Sequence, residues 1–594
     1  IAPWEVYANT GDVKESKTNW NANSFQIFAQ VAGSKNIAQV SSKIKDIKIR
    51  NMDEGGKKSN PRVFLFPMTR WHLYPEFKNG VNSGGAIKYV WLFGIIGIFV
   101  LMLAAINFMN LSTARSEKRA KEVGIRKSIG SLRSQLIWQF LSESMLMAGL
   151  AFIAALFLVQ LALPYFNNLT GKQIAILWTS PLFWLTGIGF MVINGLLAGS
   201  YPAFYLSSFK PVKVLKGAFT AGKFAAVPRK VLTIIQFTFS VTMIIGTIVV
   251  LRQIQFAKAR PIGYSRSGLI MVRPYSENIH KNIAAIRNEL LQSRTVVGIA
   301  ESGNQITKGS RTSGGFNWPA KSPETTGEFA TFAVSSEYGH TVGWQFTNGR
   351  DFSKSAPSDS SGLVLNQRAV TYMGLKNPIG QTITWDDKKF KILGVTKDMI
   401  VESPYDPIKP TVFYLSNDPG ILNIRFNPKI STSAALINIE AVLKKYTPAD
   451  PFDYKFVDQE YAQKFGEEER VGKLAGFFAG LSIFISCLGL FGMATFMAEQ
   501  RTKEIGVRKV LGATVFNLWG LLSKDFVLLV LISLLVATPG AYFLMHNWLQ
   551  NYTYHSGLSW WIFAVTAIGT LSITLLTVSY QSIKAALANP VKSL

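Results

Sequence analysis

The 594-residue chain carries only 16% charged side chains, well below the roughly 25% usual for soluble proteins, so much of it expects a solvent other than water. Its formal net charge of +27 points to nucleic acid, to an anionic membrane surface or to a topogenic bias in loops beside membrane spans, and position along the chain decides among them. One cysteine, Cys487, excludes an internal disulfide framework or a cysteine metal cluster, and the five scattered histidines include no pair at the spacing that sets two imidazoles on one helical face.

Residues 1–87 open on Ile1 and a polar stretch with no charged segment followed by an apolar one. Apolar runs then follow at about 88–112, 134–163, 182–206, 230–252, 474–497, 516–545 and 560–580. Each is long enough, at ~1.5 Å rise per residue, to cross a ~30 Å hydrocarbon core. A backbone in lipid must satisfy its own hydrogen bonds, and continuous runs of this length fit helices rather than barrel strands. Seven membrane-spanning helices are expected. Residues 253–473 read instead as an α/β domain, because short alternating runs such as 389–395 and 410–415 are bounded by Gly, Pro, Asn and Asp. At its end, 458–470 reads as one charged helix running unbroken into the fifth span, a stalk between compartments.

Positive residues beside spans stay in the cytoplasm. Residues 113–133 hold seven basic and two acidic side chains, 207–230 six and none, 498–515 four and two, and 581–594 two and none. These four segments share one side by parity, which sends 1–87 and 253–473 to the other. The basic charge therefore belongs to membrane topology, and no nucleic-acid partner is expected. An outer start without a signal implies a further helix before Ile1, an eighth span.

Self-comparison finds a repeat. Arg119-Ala-Lys-Glu-Val-Gly-Ile-Arg-Lys-Ser-Ile-Gly-Ser131 follows the first span and Arg501-Thr-Lys-Glu-Ile-Gly-Val-Arg-Lys-Val-Leu-Gly-Ala513 the fifth, in gapless register. Each half also ends in a cognate turn, 210–215 and 589–594. On a helix Glu122 with Arg126, and Glu504 with Arg508, are i, i+4 pairs, each contributing only ~0.3–0.5 kcal/mol. Val123 and Ile125, and Ile505 and Val507, supply apolar contacts, while Gly130 and Gly512 stand where a helix stops on a left-handed residue. Such a basic surface helix suits anionic lipid headgroups, at ~1 kcal/mol per basic residue; two equivalent copies suit a two-fold partner in the cytosol.

These paired motifs, together with the run Asn107-Phe-Met-Asn-Leu-Ser-Thr-Ala-Arg115, Asn377-Pro-Ile-Gly380 and Pro407-Ile-Lys-Pro410, resemble the MacB/FtsX-like ABC permeases, in the duplicated, roughly eight-span form of Bacteroidota. The resemblance covers essentially the whole chain, apart from the span that would precede Ile1. It implies a membrane α-helical bundle of two homologous halves plus α/β extracytoplasmic (periplasmic) domains. The divisions would be 1–87, the end of a first periplasmic domain; 88–215, a first FtsX-like membrane repeat; 216–229, a cytoplasmic linker; 230–252, the helix opening the second half; 253–473, a second, MacB-like periplasmic domain with its stalk; and 474–594, the second membrane repeat. Lys121, Glu122, Gly124, Arg126, Lys127 and Gly130, with Lys503, Glu504, Gly506, Arg508, Lys509 and Gly512, would be the residues that couple the permease to an ATPase. ATP and Mg would be bound by that partner, a cytoplasmic ABC ATPase dimer, with no cofactor in this chain. A second copy or paralogue of the permease, a periplasmic adaptor, an outer-membrane channel and membrane lipid are the other implied partners. The implied setting is the bacterial inner membrane, and the implied work is export of peptide, drug or lipoprotein-type substrates. The alternative within the family is an FtsX-like scaffold that transmits force to a cell-wall hydrolase; an adjoining hydrolase gene would favour it, and an adjoining adaptor gene would favour export.

Chemistry of other kinds finds little support. Residues 217–224 match a phosphate-cradling loop except that Phe224 stands where Ser or Thr must hold magnesium, and no strand precedes them. Glu467, Glu468 and Glu469 form a run, not an opposed pair, so no catalytic residue is assigned. Few charges fall inside the spans, unlike an ion-coupled carrier. Gly195 with Gly199, and Gly476 with Gly480, have the spacing that lets helix backbones approach closely.

Overall fold

The computed structural model describes residues 5, 8, 19–20, 27–33, 36–57, 60–78, 80–207, 223–276, 278–309, 311–319, 321–322, 325, 327–416 and 420–587, apart from the side chains of 55, 78, 112–122, 124, 201–202, 205–206, 223–226 and 228. The linker that holds 217–222 and the turns 210–215 and 589–594 fall outside this description. The chain divides into two units, 1–102 and 103–594. In the first, short helices Ile37–Ile44 and Ile47–Asn51 precede a hairpin of β1 (Glu76–Lys78) and β2 (Val81–Gly84).

The long helices are α1 (Ile87–Ser128), α2 (Arg133–Thr170), α3 (Pro181–Ser207) and α4 (Lys223–Ala259), and after the α/β domain come α8 (Gly466–Gln500), the short α9 (Thr502–Val510), α10 (Val515–Leu549) and α11 (Trp560–Leu587). Seven of these are long and apolar enough to cross a membrane among the described residues. Helices α4, α8, α10 and α11 pack as a bundle. Phe237, Val241, Ile245 and Val249 recur every four residues on α4, so one ridge of that helix meets Phe526, Val530, Leu534, Ala537 and Ala541 of α10. Lipid is as apolar as this core, so close packing and interhelical hydrogen bonds hold it. Ser240 on α4 shares its hydroxyl with Ser482 (2.7 Å) and Ser486 (3.0 Å) on α8.

Between α4 and α8 lies a mixed sheet whose strands run β13–β3–β12–β4–β6–β11–β8–β10–β7, with β5 on β6 and β9 on β10. The ranges are β3 Leu269–Val272, β4 Val296–Ser302, β5 Arg311–Ser313, β6 Phe329–Val334, β7 Phe346–Gly349, β8 Gly362–Asn366, β9 Thr382–Trp385, β10 Lys388–Thr396, β11 Thr411–Leu415, β12 Ile421–Phe426 and β13 Tyr454–Phe456. Parallel pairs (β6 with β11, β8 with β10) sit inside antiparallel ones. Two helices, α5 (Ile283–Gln292) and α6 (Thr432–Tyr446), cover β3, β12 and β4. Ser431 caps α6 by accepting from the Ala434 amide, and Ala435, Ile439, Val442 and Leu443 form its inward stripe. Ile439, Val442 and Leu443 each contribute about 1.5–3 kcal/mol on burial.

The expected unbroken stalk is interrupted. A short helix α7 (Val457–Gln463) stops, Lys464 and Phe465 form a turn, and α8 begins at Gly466. The physical reason is that Phe465 is buried against Tyr405 and Tyr461 while the Lys464 ammonium turns to the carbonyls of Val401 and Glu402. A straight helix would not bring both side chains to those partners.

Gly263, just after α4, has φ +80°, and a Cβ there would come within 2.3 Å of the Asp398 carbonyl oxygen. Gly374 has φ +69° with open space around it. Gly374→Ala should therefore cost about 1–2 kcal/mol from backbone conformation alone, and Gly263→Ala about 3 kcal/mol or more, because backbone strain and overpacking add. Thermal unfolding of the purified variants measures the difference; equal losses would refute the close approach.

Candidate functional site

The two repeated motifs fold into equivalent elbows. In the first half, α1 runs to Ser128, reverses through Ile129, Gly130 and Ser131, and α2 starts at Arg133; in the second, α8 ends at Gln500, α9 carries the motif, and α10 starts at Val515. The short surface helix expected in both halves is thus separate only in the second. In the first it is the last turns of the 42-residue α1.

Both elbows stop in the same way. The Ser131 amide donates to Arg126 O (3.0 Å) and the Gly130 amide to Lys127 O (3.2 Å); the Ala513 amide donates to Arg508 O (2.9 Å) and the Gly512 amide to Lys509 O (3.1 Å). This pair of bonds defines a Schellman ending, which needs a left-handed residue at the glycine. Gly130 (φ +105°) and Gly512 (φ +90°) supply it.

Below the turn, each elbow is fastened to the end of the third long helix of its membrane repeat. Lys127 Nζ donates to Ser207 O at the end of α3 (2.5 Å), and Lys509 Nζ donates to Ala586 O near the end of α11 (2.8 Å). An ammonium at a helix C-terminus meets free carbonyls and the negative end of the helix dipole. Burial, and next the Arg133 guanidinium, pull the Lys127 ammonium below its ordinary pKa. Val123 packs with Leu136, Phe140 and Ala203, and Ile505 with Leu518, Leu522 and Ala586. In the repeat register Val123 pairs with Ile505, Leu136 with Leu518 and Phe140 with Leu522, so the same positions build both anchors.

The outward faces also match. Ile125 and Val507 are 48% and 47% exposed, and Ile129 and Leu511 are both 80% exposed. Of the two apolar positions in each motif, one turns in and one turns out. Arg126 donates to Gln139 Oε1 on α2 (2.7 Å), whereas Arg508 makes the expected i, i+4 pair with Glu504 (2.8 Å). Lys503 is exposed, and Gly506 lies with Lys509 in the lining of a cleft of about 270 Å³ between α9 and α11. The side chains of Lys121 and Glu122, and Gly124, lie outside the described residues. Sequence reasoning took Lys127 and Lys509 as surface charges and missed their clasp on the third helix; their identical register was the signal.

Of the four packing glycines, Gly195 and Gly199 lie against α2, where a Cβ would meet the Met145 sulfur at 2.6 Å and Ser144 at 2.7 Å. Gly476 is in ordinary contact with Thr247 at 3.8 Å, and Gly480 faces open space. The close approach expected at Gly480 is made one turn before Gly476 instead, by Gly472 against Ile254 and Leu251, because α8 turns that face to α4.

At the far end of the bundle the α/β domain is joined to four segments. The loop between β10 and β11 sets Ile400, Tyr405 and Ile408 against Ala257, Tyr461, Phe465 and Tyr552. Lys464 binds that loop through two carbonyls, and Arg260 through Pro404 O. Arg260 stacks over Tyr554 at 3.6 Å and Arg266 over Tyr461 at 4.4 Å. Burial draws the Lys464 ammonium down to about 8 against the opposing carboxylates of Glu402 and Glu460.

The FtsX-like permease C-terminal family matches residues 94–211 and 476–590, and the MacB-like periplasmic core domain family matches 231–440. The chain is 28% identical over 153 residues to the macrolide export ATP-binding/permease protein MacB of Bdellovibrio bacteriovorus, which covers 24% of this chain and 21% of that protein. It is 31% identical over 144 residues to the uncharacterized ABC transporter permease YknZ of Bacillus subtilis, covering 24% and 34%. The matches span only about a fifth to a third of these relatives. Among solved structures, the periplasmic region of MacB from Actinobacillus actinomycetemcomitans aligns over 33% of this chain and 92% of that one at 13% identity, with a TM-score of 0.25. The extracellular domain of YknZ aligns over 32% and 97% at 13% identity, with a TM-score of 0.23.

If the lysine clasps hold the elbows, Lys127→Met and Lys509→Met should each destabilise the protein by about 1 kcal/mol, through loss of a charge-assisted bond at a helix end. Thermal unfolding in detergent tests this; an unchanged midpoint for both would show the clasps to be idle.

Proposed function

This chain belongs to the MacB/FtsX-like permeases, and on that footing we propose that it is the permease subunit of a type VII ABC machine that exports peptide, drug or lipoprotein-type substrates from outside the inner membrane. The matched domains are permease domains with no ATPase domain among them. ATP and Mg belong to a separate cytoplasmic ATPase dimer, which docks on the two elbows.

One observation carries this reading: two elbows that share an ending, a clasp and a buried anchor, and that present the same half-exposed apolar position beside an arginine. A two-fold motor needs two like surfaces, and an interface core favours apolar contacts with arginine around them. The clasp makes each elbow move with its own helices. The far joint supports the output side. There, the same α8 that leaves the second elbow ends on Phe465 and Lys464, which grip the loop of the α/β domain. Motion received at the cytoplasmic face thus has a stiff path to the periplasmic face.

Copurification from native membranes with mass spectrometry should recover an ATP-binding subunit. Arg126→Glu combined with Arg508→Glu should lower its association, or the permease-stimulated ATP hydrolysis, at least tenfold while membrane insertion is unchanged. Undiminished association and stimulation would remove the elbows from the coupling path.

A further inference from the structure

We propose that the cleft beside the second elbow seats one zwitterionic phospholipid headgroup, the phosphoethanolamine of phosphatidylethanolamine, taken from the leaflet on the elbow side. The cleft measures about 270 Å³, close to the lower end of the ~300–1,000 Å³ usual for small-molecule sites. It is bounded by the end of α8, by α9 and by the end of α11.

Its walls differ in hydrogen-bonding character. Thr495 and Glu499 on α8 and Thr502 at the start of α9 line one side. Thr495 Oγ1 donates to Phe491 O (2.8 Å), and Thr502 Oγ1 to Ala498 O (3.1 Å) and Glu499 O (2.7 Å). With their protons committed to the backbone, both hydroxyls offer only lone pairs to the cleft, as the Glu499 carboxylate does. Gln581 and Lys584 of α11 line the other side. Lys584 is exposed and makes no ion pair among the described residues. Gln581 is only 9% exposed, yet its amide has no hydrogen-bond partner among them. A buried amide in that state needs a partner from outside the chain. Lys509 joins this donor wall from α9, next to the carbonyl of Ala586 that it holds.

A ligand that satisfies both walls carries an anion at one end and an N–H cation at the other. Phosphate meets Lys584, Lys509 and the Gln581 amide nitrogen in charge-assisted bonds, and a primary ammonium two carbons away meets Glu499 and the threonine hydroxyls. A quaternary ammonium has no N–H for that second wall. Phe491, one turn before Thr495, and Tyr580, next to Gln581, are 40% and 63% exposed and stack at 6.2 Å. Acyl chains leaving the headgroup therefore have an aromatic surface to lie on, of the kind found where spans enter the headgroup region. The first half lacks the donors. Thr113 and Glu117 repeat Thr495 and Glu499, but in the register that pairs Ser207 with Ala586, Pro202 stands for Gln581 and Tyr205 for Lys584. One lipid per chain follows.

The test is native mass spectrometry of the full chain, delipidated in detergent and then given phosphatidylethanolamine, phosphatidylcholine or phosphatidylglycerol. One phosphatidylethanolamine per chain should survive activation that strips phosphatidylcholine. Lys584→Met, alone or with Gln581→Leu, should lower that retention about tenfold, the loss of one charge-assisted bond. Glu499→Gln should erase the preference for phosphatidylethanolamine over phosphatidylglycerol, and inorganic phosphate should leave the bound lipid in place. Equal retention of phosphatidylethanolamine and phosphatidylcholine overturns the proposal, as does retention unchanged in Lys584→Met, a preference that survives Glu499→Gln, or displacement by phosphate, which would make the cleft a free-anion site. The comparison of lipids needs no variant, so misfolding cannot hide the answer. It also contains no ATPase, so failure here is separable from failure of the coupling reading.

Discussion

A helix that ends at the membrane surface leaves its last carbonyls without partners, and the elbow end of this protein is organised by how that deficit is met. Each elbow closes its own end through a glycine in the left-handed region and then sends a lysine to the end of the third long helix of its membrane repeat. The two devices depend on each other. The glycine turn sets where the following helix starts, and that helix supplies Leu136 and Phe140, or Leu518 and Leu522, to the anchor beneath Val123 or Ile505. Once those residues are buried, the neighbours at Ile125 and Val507 have only the outward direction left.

The opposite end of the bundle is built from different chemistry. Lysine and arginine stems lie along aromatic rings, and their charged heads reach backbone carbonyls of the loop between β10 and β11. Such contacts are directional and hold a loop in one orientation relative to a helix axis. Between the two ends α8 is one helix of 35 residues, about 50 Å long at ~1.5 Å per residue. Its small residues, Gly472, Ser482 and Ser486, seat it closely on α4. A shift at Arg501 therefore reaches Phe465 without an intervening loop.

The halves are alike in how their elbows are built and unlike where α1 meets α8. The elbow lysines, arginines, stop glycines and inward apolar positions recur in both copies, whereas the contact between α1 and α8 exchanges Asn107 for Gly489 and Asn110 for Gly492. Duplication within one chain permits that division, because each copy is free to become the other's complement.

The seven spans and the α/β character of the region between β3 and β13 were legible in the sequence, since both rest on the period and length of apolar runs. The repeat and its glycine stops were legible too, because a left-handed residue is a local demand that a local pattern reveals. The break at Lys464 and Phe465, the inward turn of Val123 against the outward turn of Ile125, the choice of Gly472 over Gly480, and the lysine clasps were not. Each depends on a partner distant in the chain: the loop at Val401, the helix ends at Ser207 and Ala586, and the face of α4. By itself the sequence determined which segments leave water, which stop, and that two of them are copies. Tertiary structure alone decided which charges are spent inside the molecule and which face a partner, because that choice depends on which carbonyls and apolar side chains folding brings within a few ångströms.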